Sequence, residues 1–291
     1  MRLLFFDDYK MGVLTDGKVV DVSSAVPHSD ILPPQYQMES VITDFATYRP
    51  KFEELASKGN GVALSSVRLR SPLPRPHNVM CAFSNYLDRE GATPGNIDFF
   101  YKGSTSVIGY GETVELPDIP EASVFQPEPE LGYVIGKAAK HVSEADALDY
   151  VFGYTNFIDT SARGIQGRRT TFLHKGQDSW APLGPVITTA DELPDPQKLQ
   201  VKLWLNEELK QDYSTSLMAH SVAEQVAWLT QWITLMPGDV ISCGTHHKGL
   251  SPINDGDHVE MEVEGCERLA FDVKSHGPRK MENWRPPGVK D

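Results

Sequence analysis

Apolar and polar residues alternate along two stretches late in the chain. Leu199, Val201, Leu203 and Leu205 interleave with Gln200, Lys202 and Trp204, and Val259, Met261 and Val263 repeat the pattern. A period of two puts every second side chain on one face, so both stretches predict half-buried strands. Asn206-Glu207 reads as a tight turn after the first, and Gly265 turns the second back through Leu269, Phe271 and Val273. Near the start, short apolar runs at residues 3–6, 12–14 and 19–22 predict further strands, with Asp16-Gly17 as a hairpin turn. Helices are few. Phe45, Phe52 and Leu55 give an apolar side to a helix over 41–58, and Ser143 opens another near 147–151. Ser221 with Glu224 forms a capping box for a helix over 222–235, carrying Val226, Leu229 and Ile233 on one face and stopped by Pro237-Gly238. Ser71-Pro72-Leu73-Pro74-Arg75-Pro76 cannot continue a ladder or a helix and marks a linker. The expected organisation is a small α+β domain over 1–70, a larger strand-rich domain over 71–275, and a polar, extended tail over 276–291. Many strands and few helices predict a mostly β (α+β) fold, a β-roll rather than a parallel α/β sheet.

Residues 127–137, PEPELGYVIGK, carry a different signal. Leu131, Tyr133, Val134 and Ile135 read as a strand, so Glu128 and Glu130 project from the same face. Two adjacent carboxylates repel, and each costs free energy if buried unpaired. A divalent cation resolves both problems. Asp159, within GYTNFIDTSARGIQ (153–166), supplies a third carboxylate. Three such ligands suit a hard ion such as Mg²⁺, with Mn²⁺ as the alternative, and leave positions for water or substrate. Lys175 follows in HKGQDSWAPLGP (174–185). Each piece has a plainer reading: a solvated strand face, a helix N-cap at Asp159, a surface lysine. Their conjunction favours a site. Arg163 and Gln166 stand about one helical turn apart if that segment is helical.

Composition narrows the chemistry. A net charge of −13 leaves no basic excess for a nucleic-acid partner. No apolar run approaches a membrane span, and the first seven residues are too short and too soon charged for a signal peptide. Three scattered cysteines, Cys81, Cys243 and Cys266, predict reduced thiols and a cytoplasmic setting rather than a disulfide framework. Phosphate-binding loops, dinucleotide fingerprints and serine or cysteine nucleophile elbows are all missing. Metal-assisted chemistry on a small oxygen-rich substrate is what remains.

The chain resembles the fumarylacetoacetate hydrolase family. The resemblance runs from about residue 74 to 273, through RPHNVMCAFSNYLDREG, IDFFYKGSTSVIGYGETVELP, PEPELGYVIGK, FGYTNFIDTSARGIQ, KGQDSWAPLGPVIT, LMPGDVISCGT and INDGDHVEMEVEG. It implies a mixed β-sandwich roll with a small N-terminal domain, a homodimer, and a central metal held by Glu128, Glu130 and Asp159. Lys175 would contact the substrate's oxyanion, Thr245 its carboxylate or keto-acid head, and Arg163 and Gln166 would line the site. Lys102 joins Thr245 and Arg89 among the expected substrate-binding residues. The implied activity is metal-dependent hydrolysis of a carbon–carbon bond in an anionic 2-oxo or 2,4-dioxo acid, through an enolate that the metal stabilises. Decarboxylation, isomerisation or hydration of a related acid, or keto-acid binding without turnover, are the alternatives.

Two departures from the family pattern bear on the mechanism. Where many hydrolases of the family carry N-Y-x-x-H-x-x-E on a lid, this chain has Asn85-Tyr86-Leu87-Asp88-Arg89-Glu90-Gly91-Ala92. Arg89 takes the histidine position and Ala92 the glutamate position, and arginine stays protonated near neutral pH. Asp88 and Glu90 are the nearby carboxylates. Arg89 is expected instead to pair with a distal anionic group of the substrate. The second departure is Thr245-His246-His247, where a proline commonly follows the threonine. His246 or His247 is the expected replacement base, with His174 a third candidate and a structural turn role the plainer reading of each.

Overall fold

The computed structural model describes residues 1–88, 91–165 and 171–277. Among these residues the strands form one sheet of twelve and one of five. The five-stranded sheet runs Glu208–Ser214, Gln200–Leu205, His258–Val263, Leu269–Ser275 and Thr113–Leu116. These are the alternating segments of the sequence. Asn206 and Glu207 both adopt positive φ at the expected turn, with φ of 50° and 69°. Val201, Leu203, Val259, Met261 and Phe271 pack with Leu131, Tyr133 and Ile135 of the larger sheet in one core. The far face of the larger sheet is covered by the helices Pro34–Thr43 and Phe45–Ser57, through Met38, Val41 and Phe52. The fold is mostly β with mixed sheets, as expected.

At the centre of the larger sheet lies an antiparallel pair, Val124–Ile135 with Val151–Arg163. All twelve residues of the first strand are buried. Two prolines inside a central strand need an explanation, because proline cannot donate to a ladder. The carbonyls of Phe125, Pro129 and Leu131 point away from the paired strand, accepting from Ile253 N, the Tyr213 hydroxyl and Cys243 N. Pro127 and Pro129 share that orientation, so the N–H each lacks is one the main ladder does not use. On that side the neighbouring strand Val240–Ser242 pairs only with residues 132–134. Beyond it the ladder opens, and the loop from Cys243 onward enters the gap.

Several boundaries differ from the sequence reading. The helix expected over 41–58 is two helices that meet at Asp44, whose φ and ψ of −121° and 40° break the first. The segment near 147–151 is a 3₁₀ run, Glu144–Tyr150, capped by Ser143 accepting from Asp146 N, and Val151 already begins a strand. The Ser221–Glu224 capping box is present, but its helix ends at Trp232, because Leu235 pairs with Ala139. Arg163 closes a thirteen-residue strand and does not begin a helix. The leading segment is built into the larger sheet, with Leu3 paired to Ile187, and Leu3, Phe5 and Val20 share a core with Val79, Val134 and Leu183. Of the expected tail only His276 and Gly277 are among the described residues; Trp284 and its neighbours lie outside them. No helix among the described residues is long and apolar enough to cross a membrane.

Candidate metal centre

Register brings the three acidic residues together. Glu128 lies directly opposite Asp159 in the central pair, and Glu130 stands two residues along. Cross-strand partners and i, i+2 neighbours share one face. The face is the one that carries Val134 and Phe157, away from the five-stranded sheet. One ligand oxygen from each carboxylate lies within 4.8 Å of the others, and all three residues are buried.

Cations balance two of them. The Lys175 ammonium donates to Glu128 Oε2 at 2.7 Å, to Ser161 Oγ at 2.5 Å and to Asp159 Oδ2. Burial pushes the Lys175 ammonium down from its ordinary pKa, against the pull of Asp159. Arg163 pairs with Glu128 Oε1 and donates from Nε to Gln126 Oε1 at 3.2 Å. Glu130 is held by neutral donors, the Ser242 hydroxyl and the Gly244 N–H at 2.7 Å. Gly244 has φ of 84°, a left-handed conformation that suits glycine. Burial, with the charge of Asp159 adding to it, pushes the Glu130 carboxyl up to about 8. Three hard oxygen donors, one of them with no ion pair among the described residues, fit a divalent metal ion.

A narrow cavity opens on this cluster. Its wall includes Glu128, Glu130, Arg163, Lys175, Gly244, Thr245 and His247, with Ala82, Phe83, Ser84 and Phe100 completing it. Thr245 is buried, with Oγ1 3.3 Å from the Tyr213 hydroxyl. Thus Lys175, Arg163, Thr245 and His247 line one cavity with Glu128 and Glu130. Lys102 does not reach the wall. Its side chain is fully buried, its ammonium pairs with Asp159 Oδ1 at 2.7 Å, and it donates to the carbonyls of Thr160, Lys175 and Trp180. The expected substrate contact for Lys102 is therefore corrected: its ammonium is already enclosed and ties Asp159 to the backbone around Lys175.

The histidines separate. His247 Nδ1 lies 2.5 Å from Asp88 Oδ2, and its N–H donates to Asp88 Oδ1 at 2.9 Å. His246 Nδ1 accepts from Lys248 N at 3.1 Å, and its ring packs against Tyr213 and Tyr86, off the cavity wall. His174 Nδ1 lies 3.2 Å from the Ala162 carbonyl, also off the wall. Cys81, Cys243 and Cys266 are buried free thiols, and burial pushes each of them up, which suits packing rather than nucleophilic roles. Gln166, Arg89 and Glu90 lie outside the described residues. The sequence reading missed Ser161 and Ser242. Ser161 was detectable, being two residues beyond Asp159 on the same strand face; Ser242 was not, because only the fold brings it to Glu130.

The sequence profile of the fumarylacetoacetate (FAA) hydrolase C-terminal domain matches residues 78–274. The chain belongs to the fumarylacetoacetate hydrolase family. A maleylpyruvate hydrolase of Aquipseudomonas alcaligenes is 31% identical over 294 residues, covering 94% of this chain and 100% of that one. An oxaloacetate tautomerase of Bacillus subtilis is 33% identical over 249 residues, covering 79% of this chain and 82% of its own length. Among solved structures, maleylpyruvate hydrolase from Sphingobium sp. SYK-6, in complex with manganese(II) and pyruvate, superposes with a TM-score of 0.85 at 32% identity, covering 94% of this chain and 99% of that one. These relatives are enzymes, and the acidic cluster here is of the kind that holds a divalent ion.

Proposed function

We propose that this protein hydrolyses a carbon–carbon bond in an anionic 2,4-dioxo acid, with Mg²⁺ or Mn²⁺ held by Glu128, Glu130 and Asp159. The observation that carries the reading is a cluster of three buried carboxylates that opens, through Glu128 and Glu130, on one narrow cavity walled also by Lys175, Thr245 and His247. When bound, the ion supplies Lewis-acid polarisation to the 2-oxo acid head. The protein supplies the rest. Lys175 presents a buried ammonium to negative charge developing on the substrate's keto oxygen, in a setting where such charge stabilisation is strong. Thr245 offers a hydroxyl to the carboxylate. Arg163 and Lys102 neutralise Glu128 and Asp159, so the charge of the ion is left for an anionic substrate. Near-complete coverage of two maleylpyruvate hydrolases supports the hydrolytic reading.

Likeness to an oxaloacetate tautomerase, with Arg89 and Ala92 at the family's lid histidine and glutamate positions, favours enol–keto isomerisation as a second reading. One screen separates them. Turnover of 2-oxo and 2,4-dioxo acids with each metal is followed by loss of enol absorbance, and products are identified. Two carboxylic acid products from a dioxo acid are expected. Enol–keto interconversion with the carbon chain intact would overturn hydrolysis in favour of the second reading.

A further inference from the structure

We propose that His247, clasped by Asp88, is the general base of this site, and that the base is divided between two segments far apart in sequence. The inference rests on the hydrolytic reading and names the group that activates water in it.

The geometry specifies which nitrogen acts. An ionised carboxylate only accepts hydrogen bonds, so the 2.5 Å contact between Asp88 Oδ2 and His247 Nδ1 places the ring proton on Nδ1. In the neutral imidazole Nε2 then keeps its lone pair. The backbone N–H of His247 occupies the other oxygen, Asp88 Oδ1, at 2.9 Å. One carboxylate therefore fixes both the backbone and the ring of the same residue, which holds the imidazole in one orientation. Burial pushes the Asp88 carboxyl up, but the bonds and charge of His247 more than offset this, leaving it below the ordinary carboxylate range. His247 forms part of the cavity wall with Glu128, Glu130 and Lys175, and Asp88 stands behind it. His246 stands farther from the same carboxylate, its Nδ1 3.8 Å from Asp88 Oδ1, and is differently committed. Its Nδ1 accepts a backbone N–H, its carbonyl accepts from Gln211 Nε2 at 2.6 Å, and its ring leans on Tyr213.

The step balances as follows. His247 Nε2 takes a proton from water, and the water oxygen bonds to the C4 carbonyl carbon of the dioxo acid. The C3–C4 bond breaks, its electron pair passing to C3. The imidazolium returns its proton to C3, giving a 2-oxo acid and a second carboxylic acid, which releases its own proton to solvent. Here the pair of the family's lid motif is replaced: the carboxylate comes from residues 85–88, and the histidine from the loop that fills the gap beside Pro127 and Pro129.

The full chain with Mn²⁺ tests this. His247→Gln should lower kcat on the dioxo acid by roughly 10²–10⁴, the usual range for a positioned base. KM and calorimetric binding of Mn²⁺ with oxalate should stay within a few-fold. Asp88 is a positioning residue, so Asp88→Asn should lower kcat with KM held, and Asp88→Glu should recover part of it. His246→Gln should stay near wild type. A second readout needs no turnover: ¹⁵N NMR of the metal-free protein should show the Nδ1–H tautomer at His247, lost or mixed in Asp88→Asn. Turnover of His247→Gln within threefold of wild type, or an Nε2–H tautomer in wild type, would overturn the proposal while leaving hydrolysis standing. Absence of hydrolysis in wild type would remove the hydrolytic reading and the base assignment with it.

Discussion

The floor of the cavity and its rim are built by different means. The floor is two long strands whose ladder runs without a break from Val124 opposite Arg163 to Val134 opposite Gly153. Glu128, Glu130 and Asp159 sit there with side chains at most 5% exposed or fully bonded to buried partners. The rim is two loops. Asp88 and His247 meet across 159 residues of sequence, and their side chains are 22% and 21% exposed. A metal site tolerates little displacement of its ligands, so a rigid, doubly hydrogen-bonded ladder suits it. A base that must admit water and substrate suits a looser edge. Changes to the floor should therefore act all-or-none, and changes to the rim should be graded.

The largest effect is expected at Glu130. Glu130→Gln keeps the shape and the bonds to Ser242 and Gly244 but removes a charged ligand, and both Mn²⁺ binding by calorimetry and turnover should vanish while the circular dichroism spectrum is kept. A variant that still binds the ion at wild-type affinity would break the contrast at its root. Next comes Lys175→Met, for which turnover should fall by about 10²–10³, the scale of one lost oxyanion donor. Because the Lys175 ammonium itself occupies Glu128 and Asp159, Mn²⁺ affinity in this variant should be retained or raised. Weaker metal binding would show that the lysine organises the ligands and does not act on substrate. At the rim, Thr245→Val should raise KM by roughly tenfold to a hundredfold, about 1.5–3 kcal/mol for one hydrogen bond to a charged group, with kcat little changed. A matching fall in kcat would move Thr245 into the reacting machinery. The smallest effect sharpens the comparison from outside both regions. Ser221→Ala removes the capping box of Val222–Trp232 and should cost about 1 kcal/mol of stability, read as a lower Tm, with turnover untouched.

Local spacing carried much of this protein's design. Alternation located Gln200–Leu205, His258–Val263 and Leu269–Ser275, and the Ser221–Glu224 spacing located a real cap. Glu128 and Glu130 were legible as a pair because a strand's period is two, whatever packs around it. Asp159 and Lys175 joined that pair as a conjunction of local signatures, and family resemblance added Thr245; the fold brings Asp159 beside both glutamates and puts Lys175 and Thr245 on the cavity wall. Other features depend on neighbours that no local pattern names. The helix expected over 41–58 splits at Asp44, and the one after Ser221 stops at Trp232 because Leu235 finds a partner in Ala139. Lys102 reads as an available cation in sequence, and only the carbonyls of Thr160, Lys175 and Trp180 show that it is enclosed. His246 and His247 are indistinguishable in sequence, adjacent and of one type. Tertiary structure sends one ring onto Tyr213 and gives the other Asp88. The sequence by itself determined what repeats within a strand or a helical turn, since covalent geometry enforces it. Which cation is sealed, which histidine faces the cavity and which carboxylate holds it depended on segments far apart in sequence, from 58 residues between Lys102 and Thr160 to 159 between Asp88 and His247, where packing and hydrogen bonding decide.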